Sequence, residues 1–385
     1  MKRIILICVF IVFIHSQKLS FQTSMLLNLY KNENENICIS PLSIYQIVSL
    51  VSNGASGKTQ DEILKALLPD SIINEKSQFK LNDINNKIVQ LYNSKNKYVK
   101  IANAVMTKQK LKSVFLKMCK KYDAFVEPLT SASQVNKWCS EKTNGKINHI
   151  IDSIKEIEMI LLNAVYFKSD WKSKFKTEST RLKDFTNSNG ETVKVKTMYQ
   201  EYGSINYYGD DKIQIIELPY EDNHLSMVII LPNKSNYNSP LNFMKNEKND
   251  VTKMLNKLKR TNDVRLYLPK FKYEYQSSLV DAFKKMNMKK AFTDDAEFTN
   301  LNEGIPLKIN DIIHKTFIAV DEKGTEAAAV TAISASGTSS RYQKPKEYTY
   351  MYVDHSFIYM IKDNRVKDSN GNDLMLFFGV VNNLK

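Results

Sequence analysis

Five histidines occur in the 385 residues, few for a chain whose chemistry would move protons at neutral pH. None has the His-Glu-x-x-His spacing that sets two imidazoles around zinc on one helix face. No Gly-x-Ser-x-Gly turn presents a serine nucleophile. Gly54-Ala55-Ser56-Gly57-Lys58-Thr59 has the outline of a phosphate-cradling loop, but Ser52 stands where the first glycine belongs. The residues before it also carry helical spacing, whereas that loop must follow a strand. The residue types therefore point away from an enzyme, and to no metal and no cofactor. His314, in Ile313-His314-Lys315, reads as a satisfied core histidine.

The most informative segment is Glu322 to Ser340. From Ala327 to Ser340 it has no charge and no proline, only small or β-compatible side chains. A surface connection normally carries turn formers and charge. This one reads as a strand held in reserve. In a sheet, Thr325, Ala327, Ala329, Thr331, Ile333 and Ala335 would share one face at period two, with Glu326 on the other. Gly324 would supply the backbone freedom where that strand swings in. Arg341-Tyr342 follows, a bond suited to a trypsin-like protease after Arg341 or a chymotrypsin-like one after Tyr342. Lys344 is disfavoured because Pro345 follows it.

Around this segment the hydrophobic spacing predicts helices over Leu19–Lys31, Pro41–Val51, Asp61–Leu68, Phe79–Tyr92, Ser113–Tyr122, Ala132–Thr143, Leu241–Lys257 and Leu279–Met286. Strands are predicted over Ile37–Ile39, Leu161–Phe167, Ile213–Leu218, Leu225–Leu231, Val264–Leu268, Lys315–Val320, Phe357–Ile361 and Met375–Val381. A helix-rich first half runs into a strand-rich second half without a linker or repeat, so residues 17–385 form one α+β domain.

Several motifs, in order, resemble the serpin family over nearly the whole chain. They are Asn36-Ile37-Cys38-Ile39-Ser40-Pro41-Leu42-Ser43-Ile44, Leu162-Asn163-Ala164-Val165-Tyr166-Phe167-Lys168 with Trp171 and Phe175, Leu266-Tyr267-Leu268-Pro269-Lys270-Phe271, and Phe378-Gly379-Val380-Val381-Asn382. Asp321 to Ala329 is similar, almost residue for residue, to the loop hinge of inhibitory serpins, covering Glu322, Gly324, Thr325, Glu326, Ala327, Ala328 and Ala329. The resemblance implies three β-sheets, eight or nine helices and an exposed C-terminal reactive loop over about 322–352. It implies a "shutter" of Ser40, Ser43, Asn163 and His314 where the central sheet parts, and a "breach" at Trp171 where the hinge first inserts. It also implies a suicide substrate of serine proteases: the loop is cut, and the acyl-enzyme is trapped as the freed arm enters the sheet. Family spacing places the cut at Thr338-Ser339. The loop is about seven residues longer than usual, however, and Arg341-Tyr342 is the preferred bond. Three additional strand residues before the cut give about 10 Å of slack, which would lessen the crushing of the protease. The alternatives are a non-inhibitory carrier or chaperone and an inhibitor of cysteine proteases.

Met1-Lys2-Arg3 and the apolar run Ile4–Ile14 predict a signal peptide over 1–16, and hence a secreted protein, extracellular or stored in secretory vesicles. The run is too short to span a bilayer. The formal charge is +14. A well-solvated surface accounts for it, and a sulfated glycan on Lys108, Lys110 and Lys112 or on Lys117, Lys120 and Lys121 is the sharper alternative. No nucleic acid or membrane partner is expected, and the chain should be a monomer bound covalently only to its target. Cys38, Cys119 and Cys139 remain after the signal, an odd number that permits one disulfide at most, with Cys38 expected as a buried thiol. Asn233-Lys234-Ser235 is a glycosylation sequon at a strand end.

Overall fold

The computed structural model describes residues 19–68, 73–92, 96–143, 145–235, 239–246, 251–302, 306–325, 347–368 and 371–385. Among them are nine helices: α1 Phe21–Leu29, α2 Pro41–Ser52, α3 Gly57–Leu67, α4 Ser77–Leu91, α5 Ser113–Lys121, α6 Ala132–Lys142, α7 Pro240–Asn246, α8 Val251–Met254 and α9 Val280–Lys285. Most follow the spacing of their apolar residues. Within the expected helix Leu241–Lys257, the described residues hold α7, α8 and a 3-10 turn over Leu255–Lys257, and 247–250 lie outside the described residues. All twelve residues of α2 are buried, so this helix is central and packs on every side. Pro41 starts it, where a missing N–H costs nothing.

The strands before the sequence midpoint are β1 Ile37–Ile39, β2 Val99–Thr107, β3 Phe125–Pro128, β4 Met159–Phe167, β5 Ser169–Asp170 and β6 Arg181–Thr186. Beyond them lie β7 Thr192–Gly209, β8 Ile213–Pro219, β9 Leu225–Pro232, β10 Lys259–Pro269, β11 Phe271–Ser278, β12 Asp311–Val320, β13 Gly324–Thr325, β14 Thr349–Tyr352, β15 Phe357–Lys367 and β16 Asp373–Val381. One ladder has seven strands in the order β3-β2-β4-β12-β13-β5, with β11 also on β12. The other runs β1-β16-β15-β9-β8-β7-β10-β14, with β6 on β7. The three expected sheets are thus present, two of them joined edge to edge: β7 pairs with β6 and β10 along most of its length and reaches β8 only over Asn206–Gly209.

β2 was not apparent in the sequence. Its Lys100, two alanines and Asn103 weaken its strand propensity, and it is a strand because β3 and β4 pair with it on both sides. The phosphate-loop lookalike joins α2 to α3, and its amides are already engaged: Ser56 N–H donates to the Glu297 carbonyl at 2.8 Å, and Thr59 N–H to the Glu297 carboxylate at 3.3 Å. Cys38, Cys119 and Cys139 are all free and buried, with burial pushing each thiol up to about 12. The permitted disulfide is not formed.

Candidate functional site: the seam of the central sheet

β4 and β12 run parallel down the middle of the seven-stranded sheet, paired from Ile160↔Asp311 to Val165↔Thr316. Both strands continue beyond that point, to Phe167 and Val320, without pairing each other further. Parallel pairing is the less stable kind per residue. The seam is therefore closed below and unpaired at its top.

A chain of buried side chains crosses the closed part. His314 on β12 accepts a hydrogen bond at Nε2 from the Ser40 backbone N–H, 3.0 Å away. That fixes the proton on Nδ1, which donates to Asn163 Oδ1 on β4 at 2.6 Å. The Asn163 amide in turn donates to Ser43 Oγ and Asn103 Oδ1. Asn103 passes the chain to Gln46 on α2 at 2.9 Å, and Gln46 donates to Asn85 on α4 at 3.1 Å. No acid faces His314 through these bonds, and burial pushes its pKa down to about 3, so the ring is neutral.

The structure thus brings together Ser40, Ser43, Asn163 and His314 as expected, with one difference. Ser40 acts through its backbone N–H, and its hydroxyl has no hydrogen-bond partner among the described residues. Asn103 and Gln46 were missed. Both look like ordinary polar residues until β2 and α2 are placed over β4.

At the top of the seam, β13 is wedged between β12 and β5. Thr325 pairs with Val320 on one side and Ser169 on the other. Asp321 closes the turn, its carboxylate accepting from Lys323 N–H at 2.9 Å and its own N–H donating to the Gly324 carbonyl at 3.0 Å. Trp171 holds the turn from outside: Nε1 donates to the Asp321 carbonyl at 2.9 Å and the backbone N–H to the Lys323 carbonyl at 2.7 Å. Its ring stacks on Tyr220 with centroids 4.5 Å apart, and the Tyr220 hydroxyl lies 2.7 Å from Thr325 Oγ1. Glu322 is tied to Lys270 at 2.6 Å and accepts from Thr180 at 2.8 Å. Burial pushes the Glu322 carboxyl up, but hydrogen bonds from Lys270, the backbone and Thr180 outweigh it and hold it below the ordinary range.

Gly324 owes its identity to crowding rather than to an unusual φ. It is not among the glycines with positive φ. A Cβ there would stand 2.1 Å from the Ser169 carbonyl oxygen and 2.7 Å from Asp170 Cα, both backbone. Gly324→Val should therefore force β13 off β5, at a cost of about 1–3 kcal/mol. In a Trp138→Phe background, a lowered urea midpoint and a changed Trp171 emission are the expected results; an unchanged midpoint would contradict the packing.

Of the remaining sequence-predicted positions, Asn233 is exposed just after β9. Glu326, Ala327, Ala328, Ala329, Thr338, Ser339, Arg341 and Tyr342 lie outside the described residues, as do residues 1–16.

Comparison with known proteins agrees with this geometry. The model of the family described as "Serpin (serine protease inhibitor)" matches residues 16–384. An uncharacterized serpin-like protein of Thermococcus kodakarensis is 34% identical over 88% of this chain and 81% of its own. The leukocyte elastase inhibitor of Xenopus laevis is 32% identical over 93% of this chain and 97% of its own. Among solved structures, the thermophilic serpin tengpin in its native state superposes with TM-score 0.81 at 30% identity, over 95% of this chain and 92% of that one. Thyroxine-binding globulin in complex with thyroxine, at 24% identity and TM-score 0.78, over 94% and 98% of the two chains, shares the fold. With a family model that matches residues 16–384 and relatives above 30% identity over most of its length, the chain belongs to the serpin family.

Proposed function

We propose that this serpin is a secreted inhibitor of serine proteases, and that it inactivates them by becoming part of its own central sheet. The observation that carries the reading is the placement of Gly324-Thr325, already paired at the mouth of the unpaired upper seam between β4 and β12. The residues that follow, Ala327 to Ser340, have neither charge nor proline to resist entry. The target's serine attacks the loop, preferentially at Arg341-Tyr342, and forms an ester while the C-terminal piece leaves as the new amine. The freed arm then enters between β4 and β12, completing the backbone hydrogen bonds of the upper seam and carrying the ester-linked protease away before water can release it. Loop insertion of this kind releases strain stored in the intact fold.

Incubation with trypsin, chymotrypsin and elastase, read by denaturing gel and intact mass, tests the reading. The expected result is a covalent adduct surviving denaturation, with a released peptide beginning at Tyr342. Clean cleavage with no adduct would make the chain a substrate or carrier, and a peptide beginning at Ser339 would move the reactive bond.

A further inference from the structure

The outer face of the β6-β7-β10-β14 sheet carries an unusual run of aromatic rings. Cross-strand register aligns Tyr199 on β7, Tyr267 on β10 and Tyr352 on β14 in one row, and Glu201, Arg265 and Tyr350 in the next. Ring centroids are 4.9 Å apart for Tyr199 and Tyr267, 4.7 Å for Tyr267 and Tyr352, and 5.7 Å for Tyr352 and Tyr350, the last pair parallel within 2°. Arg265 stacks its guanidinium 3.4 Å above the Tyr348 ring and donates to the Tyr350 hydroxyl at 3.0 Å and to Glu201 at 3.0 Å. Lys183 reaches over Tyr267. Tyr350 and Tyr352 remain 39% and 46% exposed, although alternate residues of the same strands, Leu266 and Met351, are wholly buried. A cleft of about 630 Å³ borders this face, with Tyr352, Thr349, Gln214 and Tyr207 in its wall.

The fold does not need these rings outside. Stacked tyrosines held by an arginine are what protein interfaces select: large apolar area, polar tips and little rotamer entropy left to lose. We propose that this tyrosine–arginine face is a docking surface for the target protease, separate from the reactive loop. The inference rests on the inhibitor reading.

Chain length supplies the occupant. Tyr348 lies six positions after Tyr342, at most about 20 Å of extended chain. A compact protease domain of about 220 residues has a radius of gyration of about 17 Å and hence a diameter of about 44 Å, roughly twice that reach. A protease with its cleft on the Arg341-Tyr342 bond overhangs the rows that begin at Tyr348. Lys183 and Arg265 make the face basic, with Glu201 alone opposing them in these rows, so the complementary surface is an acidic and apolar patch beside the protease's cleft. The reactive bond then selects the class of protease, and the face selects among members of that class.

The test uses whichever of trypsin, chymotrypsin or elastase the full-length protein traps. Tyr350→Thr with Tyr352→Thr keeps strand propensity while removing both rings. The expected result is about a tenfold lower second-order rate constant of inhibition, with an unchanged melting temperature and unchanged molecules of inhibitor consumed per protease. If the double variant is unstable, Lys183→Glu on the same face decides: the rate should fall several-fold, with a weaker salt dependence. An unchanged rate in the stable variant overturns the docking surface and leaves the inhibitor reading intact. Failure of the unmodified protein to trap any of the three enzymes overturns both.

Discussion

On the inhibitor reading proposed above, Thr325→Arg is expected to convert the protein from a trap into a substrate. Thr325 is almost wholly buried, flanked by backbone on both sides and bonded to Tyr220, which the Trp171 ring covers. As the first residue of the entering strand that faces inward, it must remain buried while the rest follows. An arginine there would place a charge beneath two aromatic rings, with Glu322 already taken by Lys270. Inhibition is a race between strand entry and hydrolysis of the ester. Raising the entry barrier by about 3 kcal/mol slows entry more than a hundredfold while hydrolysis keeps its rate. The ester then reaches water first. Gel densitometry should show cleaved protein replacing adduct, and the cleaved product should melt no higher than the intact protein. Thr325→Val is the control: it exchanges the hydroxyl for a methyl of similar size, losing the Tyr220 bond without adding charge, and should keep the adduct. Undiminished adduct from the arginine variant would mean that entry does not begin at Thr325.

Much of this site could be read in advance because its logic is local. The neutral run after Gly324 can be seen in composition alone, and the Ser40-Pro41 helix start and the Asn163 strand are written in short contiguous motifs. The partners that do the holding were hidden for a physical reason. Gln46, Asn103 and Tyr220 are distant in sequence from the residues they bind, and nothing in their own neighbourhoods marks them; Lys270 lay in a legible motif, but its pairing with Glu322 was not legible there. Asn103 sits in a strand whose polar and small residues disguise it. Gly324 was read as the point of backbone freedom where the strand swings in; its close approach to the β5 backbone, which a Cβ would block, could not be read from the sequence. The tyrosine rows could not be seen because the three strands meet only through their register.

The second large effect concerns His314 and runs with pH. The ring titrates near 3 in the folded protein, against 6.5 when exposed. Between those values the unfolded chain binds the additional proton, so folding stability rises with pH across the window. The contribution is complete above about pH 6.5 and is lost progressively as pH falls toward 3. Two pH units below 6.5, the loss amounts to about 3 kcal/mol. Because the imidazole spans the seam, from Ser40 on the helix α2 side to Asn163 on β4, its protonation removes the acceptor for the Ser40 N–H as well as charging a dry site. Acid should therefore loosen the same pairing that an entering strand must break. His314→Gln retains a donor and an acceptor without titrating. Its urea midpoint should vary less between pH 7.5 and 4.5 than that of the unmodified protein, by an amount equivalent to about 3 kcal/mol. His314→Leu, which leaves both Ser40 N–H and Asn163 Oδ1 unpaired, should cost about 3 kcal/mol already at pH 7.5. Parallel pH profiles for the unmodified protein and the glutamine variant would show that the seam's pH response comes from elsewhere, and would remove His314 from the account of how the sheet opens.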